Sequence, residues 1–308
     1  MSVHDPVVDE PVQLRRGIGG LPKVTLRARD GATADVYLHG GHVTSWRPAP
    51  DLEERLFLSA RSAFRADEAI RGGIPVIFPQ FATEGPLPRH GFARTSEWRA
   101  ERSERTADGH ALASFVLTDS PETRAIWPAE FRATISVRVG GVRLVVRLTV
   151  ENTGTAPFTF TTALHTYVRV HDIEETDIVG LRGTRYRESS NPTLLRLDDA
   201  AAVRVTHEID RVYVGAPHEV RVREPHRTLV VTTEQFPDLV LWNPGAERAA
   251  AMADMEPDGE RAMLCVEAAA VQKPVALGAG ERWHGTQTLD ATLTTPPATR
   301  VRRTPAGP

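Results

Sequence analysis

The chain has 308 residues, a formal net charge of −3 and a single cysteine, Cys265. Charge this close to balance, with basic residues spread among acidic ones, gives no electrostatic case for nucleic-acid binding, and one cysteine excludes an intrachain disulfide. No apolar run approaches the ~20 residues of a membrane helix, and the polar N-terminus lacks the basic and apolar regions of a secretory signal. We therefore expect a cytoplasmic protein with no nucleic-acid and no membrane partner.

Alternation of hydrophobic and polar residues begins at Lys23 and indicates β-strands. Residues 1–20 are polar and irregular, and we predict a disordered arm there. The turn His39-Gly40-Gly41-His42 separates two of the first strands, as in β-hairpins. These first strands are predicted at 23–29, 34–38 and 43–46.

The segment from Ile70 to Trp98 has the pattern of neither a helix nor a strand. Gly72 and Gly73 permit close backbone approach, and four prolines disfavour regular structure. Its cationic and imidazole side chains include Arg71, Arg89, His90 and Arg94. Guanidinium groups bind phosphate and carboxylate oxygens in a fork, so the segment suits a small anionic ligand. A surface loop with solvated arginines explains the same residues equally well.

The clearest strand pattern lies in the middle of the chain, where residues 131–139 and 142–150 flank the turn Gly140-Gly141 as a hairpin. Further strands are predicted at 111–118, 158–170, 202–207, 219–223, 228–233, 239–242, 262–270 and 286–289. The one predicted helix is Pro244–Met255. Many short strands with scarcely a helix indicate an all-β fold, a β-sandwich. We expect one domain over residues 21–295 and a disordered tail at 296–308.

Two residues within predicted strands have the chemistry of acid–base catalysts. His165 shares one strand face with small and polar residues, which suits a cleft floor but is also typical of any half-exposed antiparallel strand. Glu267 lies inside the apolar run Ala262–Val271, where burial raises the pKa of a carboxyl towards the range of a general base. An edge position in water, or a structural ion pair, is the alternative for Glu267.

The sequence offers little else that could carry a reaction. The remaining histidines lack the spacing of a zinc site, and no phosphate-loop, dinucleotide-binding or serine-nucleophile motif occurs. We therefore expect neither a metal nor a cofactor. Asp210, within Ile209–Tyr213, is by sequence alone most simply a loop residue that caps a turn.

Three segments in this order closely resemble the hexose-6-phosphate 1-epimerases, the sugar-phosphate branch of the aldose 1-epimerase family. They are RGGIPVIFPQF with the following LPRHGFAR, TALHTYVRVHDI at 162–173, and WNPGAERAAAMADMEPDGERAMLCVEAAAV at 242–271. The resemblance covers about residues 20–295. It implies a galactose mutarotase-like fold, a large antiparallel supersandwich with few short helices, which we expect to be a monomer.

The resemblance also implies roles for individual residues. His165 matches the catalytic histidine and Glu267 the general base, and we expect the acid and the base on opposite sides of the sugar. Arg71 and Arg94 match positions that hold a 6-phosphate, and Asp210 matches an aspartate that contacts the sugar. We group His90 with these substrate-binding residues. Arg89 departs from relatives that carry a polar residue such as Gln, so it either adds a phosphate contact or points to solvent.

The expected reaction is the interconversion of α and β anomers of a hexose 6-phosphate, most simply D-glucose 6-phosphate. Two alternatives are a non-catalytic sandwich that senses a phosphosugar and a mutarotase of unphosphorylated aldoses. A glycoside hydrolase or lyase ranks below them, because it usually needs two carboxylates flanking the bond, and Glu256, Asp258 and Glu260 lie in a predicted loop.

Overall fold

The computed structural model describes residues 12–49, 51 and 53–293, and most of its regular structure is β-strand. The first ten strands are β1 (Val12–Arg16), β2 (Pro22–Arg27), β3 (Thr33–Tyr37), β4 (His42–Arg47), β5 (Val76–Ile77), β6 (Arg99–Arg105), β7 (Ala111–Thr118), β8 (Phe131–Gly140), β9 (Arg143–Asn152) and β10 (Phe158–Leu164). The others are β11 (Tyr167–Arg169), β12 (Asp177–Val179), β13 (Arg185–Glu188), β14 (Asn191–Leu197), β15 (Ile209–Val214), β16 (Glu219–Arg223), β17 (Arg227–Glu234), β18 (Asp238–Asn243), β19 (Met263–Leu277) and β20 (Arg282–Leu293).

Helical structure among the described residues is short. The α-helices are α1 (Pro121–Ile126) and α2 (Gly245–Ala251), and single 3₁₀ turns span Ile18–Gly20, Ala93–Thr95, Ile173–Glu175 and Gly259–Ala262. None of the helices in this part of the chain is long and apolar enough to cross a bilayer. The predicted all-β class with few short helices is confirmed.

The strands form three antiparallel sheets. The first has the order β1-β2-β3-β4. The second, which we call the site sheet, has the order β14-β13-β15-β18-β19-β10-β5, with β11 also paired to β19. The third, the opposing sheet, has the order β12-β16-β17-β20-β9-β8-β7-β6.

Alternation along the strands determines which side chains enter the core. Leu164, Val266 and Leu241 of the site sheet belong to one hydrophobic cluster with Ile135 and Leu148 of the opposing sheet. Successive side chains of a strand point to opposite faces. The residues next to them in the chain, including His165 and Glu267, therefore lie on the outer face of the site sheet, away from this core.

Two predictions of local structure are wrong. Val12–Arg16 forms β1 and pairs with β2 from Val12↔Leu26 to Arg16↔Pro22, so residues 12–20 are not an irregular arm. Backbone pairing holds this edge strand although Leu14 is 67% exposed, which explains why its hydrophobic pattern is weak. Residues 1–11 and the predicted tail at 296–308 lie outside the described residues. The strand predicted at 202–207 is reduced to an isolated bridge between Ile178 and Val203.

The helix prediction was partly right. The predicted helix Pro244–Met255 contains α2 but extends beyond it at both ends. Helix α1, which was not predicted, is six residues long and begins with a capping box at Ser120. A segment this short shows too little periodicity for a sequence pattern to reveal it.

Candidate active site

His165 and Glu267 face each other across two paired strands. Leu164 lies opposite Ala268 and Tyr167 lies opposite Cys265, so the same register sets His165 opposite Glu267. Directly opposite residues of an antiparallel pair project from the same face. Nε2 of His165 lies 3.3 Å from Oε1 of Glu267. This distance leaves no room for a sugar between them, so the expected arrangement with acid and base on opposite sides of the sugar is wrong.

The strand predicted over 158–170 is interrupted where the histidine lies, between β10 and β11. The His165 N–H donates to the carbonyl of Pro75 at 3.0 Å, and the Thr166 carbonyl accepts from Val266 N–H at 2.9 Å. The segment after Ile70 thus attaches to the strand at this point. These two bonds hold the backbone of the histidine between the loop segment and β19.

Burial sets the protonation of the pair. His165 is 8% and Glu267 1% exposed. Burial raises the pKa of Glu267 well above its ordinary range, and the nearby Asp210 adds to this. Burial lowers the pKa of His165 well below its ordinary range, with His90 and then Arg71 and Arg94 adding to the effect. These directions favour a carboxylic acid beside a neutral imidazole in the free protein, whereas the base and acid roles that the family resemblance implies need a carboxylate and a protonated histidine.

Aromatic rings fix the orientation of the imidazole. Tyr167 stacks on His165 with ring centroids 4.9 Å apart and an interplanar angle of 9°. Trp242 packs edge-on against both rings, with centroid distances of 6.0 Å. The Tyr167 hydroxyl accepts a hydrogen bond from Nη1 of Arg71 at 2.8 Å. The stacked ring therefore connects the histidine to the first arginine of the loop segment.

Three arginines differ in how far their charge is already compensated. Arg71 donates from Nε and pairs through Nη2 with Oδ2 of Asp254, at 3.0 and 2.9 Å. Nη2 of Arg94 donates to the Arg89 carbonyl at 3.2 Å, and burial lowers the pKa of Arg94 to about 10. Within the described part of the chain, neither Arg89 nor Arg94 has a carboxylate at ion-pair distance. Arg94 is half-buried and lies close enough to act on the pKa of His165, so its cation favours an anionic ligand, whereas Arg89 is exposed.

His90 is a neutral hydrogen-bond donor next to the pair. Its Nδ1 accepts from Ala82 N–H at 3.2 Å, which leaves the proton of the neutral ring on Nε2. Burial, with Arg94 and Arg89, lowers the pKa of His90 to about 3. Its ring centroid lies 5.7 Å from that of His165. His90 can therefore donate a hydrogen bond to a ligand oxygen while its ring stays neutral.

Asp210 lies on β15 and does not cap a turn, so the simplest interpretation of its sequence was wrong. Asp210 pairs with Trp242 of β18 in the strand register, and its Oδ1 accepts from the Ser189 hydroxyl at 2.6 Å. Burial raises its pKa. Its influence on Glu267 shows that it lies within electrostatic range of the pair.

An ion pair that no sequence pattern predicts ties a loop segment to a distant strand of the site sheet. We call residues 80–91 the strap. Gln80 closes it on itself, with Nε2 donating to the Leu87 carbonyl and Oε1 accepting from Leu87 N–H, both at 2.9 Å. Glu84 accepts two hydrogen bonds, at 2.8 and 2.9 Å, from Nη2 of Arg187, a β13 residue that is 3% exposed. The partners are far apart in the chain, so no local pattern could have predicted the contact.

Comparison with known proteins gives a consistent result. The model of the family described as aldose 1-epimerase matches residues 22–290. A protein of Cenchrus ciliaris named "Putative glucose-6-phosphate 1-epimerase" is 38% identical over 281 residues, covering 88% of this chain and 85% of the relative. A protein of the same name from Escherichia coli K12 is 35% identical over 271 residues, covering 86% and 89%. The crystal structure of "a putative mutarotase" from Salmonella typhimurium has a TM-score of 0.85 at 27% identity, covering 95% and 97%.

Proposed function

The chain belongs to the aldose 1-epimerase family, and on this premise we propose that it interconverts the α and β anomers of a hexose 6-phosphate, with D-glucose 6-phosphate as the preferred substrate. The observation that carries the proposal is the buried His165–Glu267 pair, 3.3 Å apart, with the uncompensated cation of Arg94 close enough to depress the pKa of His165. The names of the relatives support the choice of substrate.

The reaction needs one proton to leave the C1 hydroxyl and one to reach the ring oxygen. Both oxygens are bonded to C1 and so lie on one edge of the sugar ring. A base and an acid that are neighbours on one sheet face can serve both from the same side. Each proton transfer by a positioned group contributes about 10²–10⁴-fold to the rate.

In the proposed step, the Glu267 carboxylate takes the C1 hydroxyl proton while protonated His165 gives its proton to the ring oxygen. The bond from C1 to the ring oxygen breaks, and an aldehyde forms. After rotation about C1–C2, the ring oxygen attacks the other face of the aldehyde with the proton transfers reversed. The pair ends as it began, so the cycle consumes no co-reactant.

The phosphate has a second role in this proposal. In the free protein the directions of the pKa shifts favour the proton on Glu267, and Arg71 and Arg94 contribute to the low pKa of His165. A phosphate dianion bound by these arginines would compensate their charge. The pKa of His165 then rises, and the proton can move across the 3.3 Å gap to the histidine. Phosphate binding thereby favours the working protonation state as well as the orientation of C1.

Anomeric exchange followed by NMR magnetisation transfer tests the function directly. Glucose 6-phosphate, free glucose and free galactose are measured with and without the protein. We expect faster exchange for the phosphate alone. Acceleration of the free sugars would overturn the substrate and retain the acid–base chemistry. Line broadening without acceleration would overturn the enzyme and indicate a phosphosugar sensor.

A further inference from the structure

The catalytic pair has a third neighbour that the proposed reaction does not use. Cys265 lies opposite Tyr167 in the strand register, two residues before Glu267 on the same face of β19. The ligand atoms of His165, Cys265 and Glu267 all lie within 4.8 Å of one another, and all three residues are buried. An imidazole, a thiol and a carboxylate therefore converge at one point on the outer face of the site sheet.

The spacing within this group suits a metal ion. Two N or O ligands about 2.1 Å from one tetrahedral ion lie about 3.4 Å apart. Nε2 of His165 and Oε1 of Glu267 are already 3.3 Å apart. The thiol needs a movement of roughly 1 Å to reach the zinc–sulfur distance, which a side-chain torsion can supply.

A second observation points the same way. Oε2 of Glu267 and Nδ1 of His165 are buried without a hydrogen-bond partner among the described residues. Buried polar atoms are nearly always partnered in native structures. Glu267 is 1% exposed, so its second carboxylate oxygen has bonding capacity that no described residue uses and that a bound ion could take up. Nδ1 of His165 lies on the other side of the ring from Nε2 and would not be a ligand of the same ion.

We propose that His165, Cys265 and Glu267 form a binding site for a soft divalent cation of the zinc type, and that the metal and the sugar exclude each other there. A thiolate ligand selects zinc-like ions over magnesium or calcium. Three protein ligands leave a fourth position for water, as in open zinc sites. The metal is an inhibitor in this proposal, because it occupies both groups that move the protons.

The neighbouring arginines do not oppose such an ion strongly. A thiolate and a carboxylate together carry two negative charges, which a divalent cation balances, so the occupied site has no net charge. Arg71 is in addition paired with Asp254. The cations of the site are therefore compatible with a metal as well as with an anionic substrate.

Cadmium titration tests the site without reference to catalysis. Cys265 is the only cysteine of the chain, so any ultraviolet thiolate-to-cadmium charge-transfer absorption reports this residue alone. We expect the absorption to saturate at one ion per chain and to be absent from Cys265→Ala. If that variant does not fold, Cys265→Ser replaces it.

Variants that retain the thiol distinguish metal binding by the three-residue cluster from binding by the cysteine alone. Loss of an outer-shell partner alone costs about 10–100-fold in metal affinity, so loss of a ligand in His165→Asn or Glu267→Gln should cost at least as much. His171→Asn, which removes an exposed histidine paired with Glu224, is the matched control and should change nothing. Cadmium binding that survives both ligand variants, or its absence from the wild type, would overturn the site.

Competition between the metal and the sugar is measured in a separate experiment, which is the only one that depends on the proposed function. Zinc should slow anomeric exchange by the wild type, a chelator should restore it, and Cys265→Ala should keep its activity in the presence of zinc. Cadmium absorption with an uninhibited enzyme would overturn the mutual exclusion. An inactive wild type that still binds cadmium at three ligands would instead reject the epimerase.

Discussion

Glu267 and His165 are cross-strand partners, and the 3.3 Å between Oε1 and Nε2 follows from the register of β19 with β10 and β11. Two ionisable groups at this distance share their protons, so each fixes the protonation of the other. The register thus places the acid–base pair on the site sheet, with Glu267 on β19 and His165 between β10 and β11, and the loop segment after Ile70 contributes the cations.

The first prediction concerns the base. Glu267→Gln removes the proton acceptor but keeps nearly the same shape, so we expect kcat to fall by about 10²–10⁴-fold with little change in substrate binding. Magnetisation transfer gives the rate, and a titration followed by line broadening gives the binding. Glu260→Gln, at a nearby buried carboxyl, is the control and should retain activity. Wild-type exchange by Glu267→Gln would reject Glu267 as the base.

The second prediction concerns the phosphate. Arg94 has no carboxylate partner among the described residues, so its substitution by Ala removes ligand binding more than internal structure. Hydrogen bonds to charged groups contribute about 1.5–3 kcal/mol, so KM for glucose 6-phosphate should rise about 10–100-fold. KM for any residual reaction of free glucose should stay the same. Arg99→Ala, on the exposed strand β6, is the control, and equal losses on both sugars would contradict a phosphate role for Arg94.

The sequence predicted the strands of the sandwich best where alternation is strict. Strand β7 was predicted with the observed bounds, and β8 and β9 to within two residues at either end, because one face of each is buried against the other sheet. The family resemblance is confirmed by the match over residues 22–290. Edge strand β1 was not predicted, because backbone pairing with β2 rather than a buried hydrophobic face stabilises it.

The site was predictable in its residue types and not in its geometry. An apolar strand with one carboxylate, as around Glu267, favours a buried acid from sequence alone, although an edge position in water fits the same pattern. Nothing local reveals that His165 faces it, because the register depends on pairing between strands about one hundred residues apart. For the same reason, no local pattern predicts that Asp254 pairs with Arg71 or that Glu84 pairs with Arg187. Contacts of this kind become visible only when the sheet has been assembled.

A third prediction follows from the role proposed for the phosphate. Binding of sorbitol 6-phosphate, which has no anomeric centre, should raise the pKa of His165 by compensating Arg71 and Arg94. The ring nitrogen shifts in ¹⁵N NMR should move from those of a neutral imidazole towards those of an imidazolium. Sorbitol itself is the control and should cause no such change. Unchanged nitrogen shifts at saturating sorbitol 6-phosphate would contradict the coupling.

A fourth prediction concerns acid stability. His42 is fully buried, its Nε2 donates to the Gly72 carbonyl at 2.7 Å, and burial lowers its pKa to about 3 from an ordinary 6.5. Between these values the unfolded chain binds a proton that the folded protein does not. The free energy of unfolding is therefore undiminished above pH 6.5 and falls as the pH drops towards 3, by about 1.4 kcal/mol per pH unit for this residue.

Urea unfolding at a series of pH values measures this slope. His42→Gln can still donate to Gly72 but does not titrate, so its slope should be smaller by about one proton, or about 1.4 kcal/mol per pH unit. Identical slopes for the wild type and His42→Gln would show that His42 is not held neutral.

The last prediction concerns the strap. Arg187 is 3% exposed, whereas the side chain of Glu84 is 36% exposed, so the arginine depends more on its partner for charge compensation than the carboxylate does. Arg187→Met frees a carboxylate that water can solvate. Glu84→Gln instead leaves a buried cation without its counter-charge, and removal of one partner of a buried pair costs about 3–5 kcal/mol. Because Glu84 is partly exposed, we expect the low end of this range for Glu84→Gln and a smaller loss for Arg187→Met.

A double-mutant cycle tests the predicted difference in stability between Glu84→Gln and Arg187→Met. The double variant should be more stable than Glu84→Gln alone, since it removes the stranded cation. Amide exchange should quicken within residues 80–91 in each single variant and stay slow in β8 and β9, because the ion pair holds the strap and not the core. Removal of the exposed pair Arg65–Glu68 is the control and should have little effect. A larger loss for Arg187→Met than for Glu84→Gln would mean that the arginine stabilises the sheet through contacts other than Glu84.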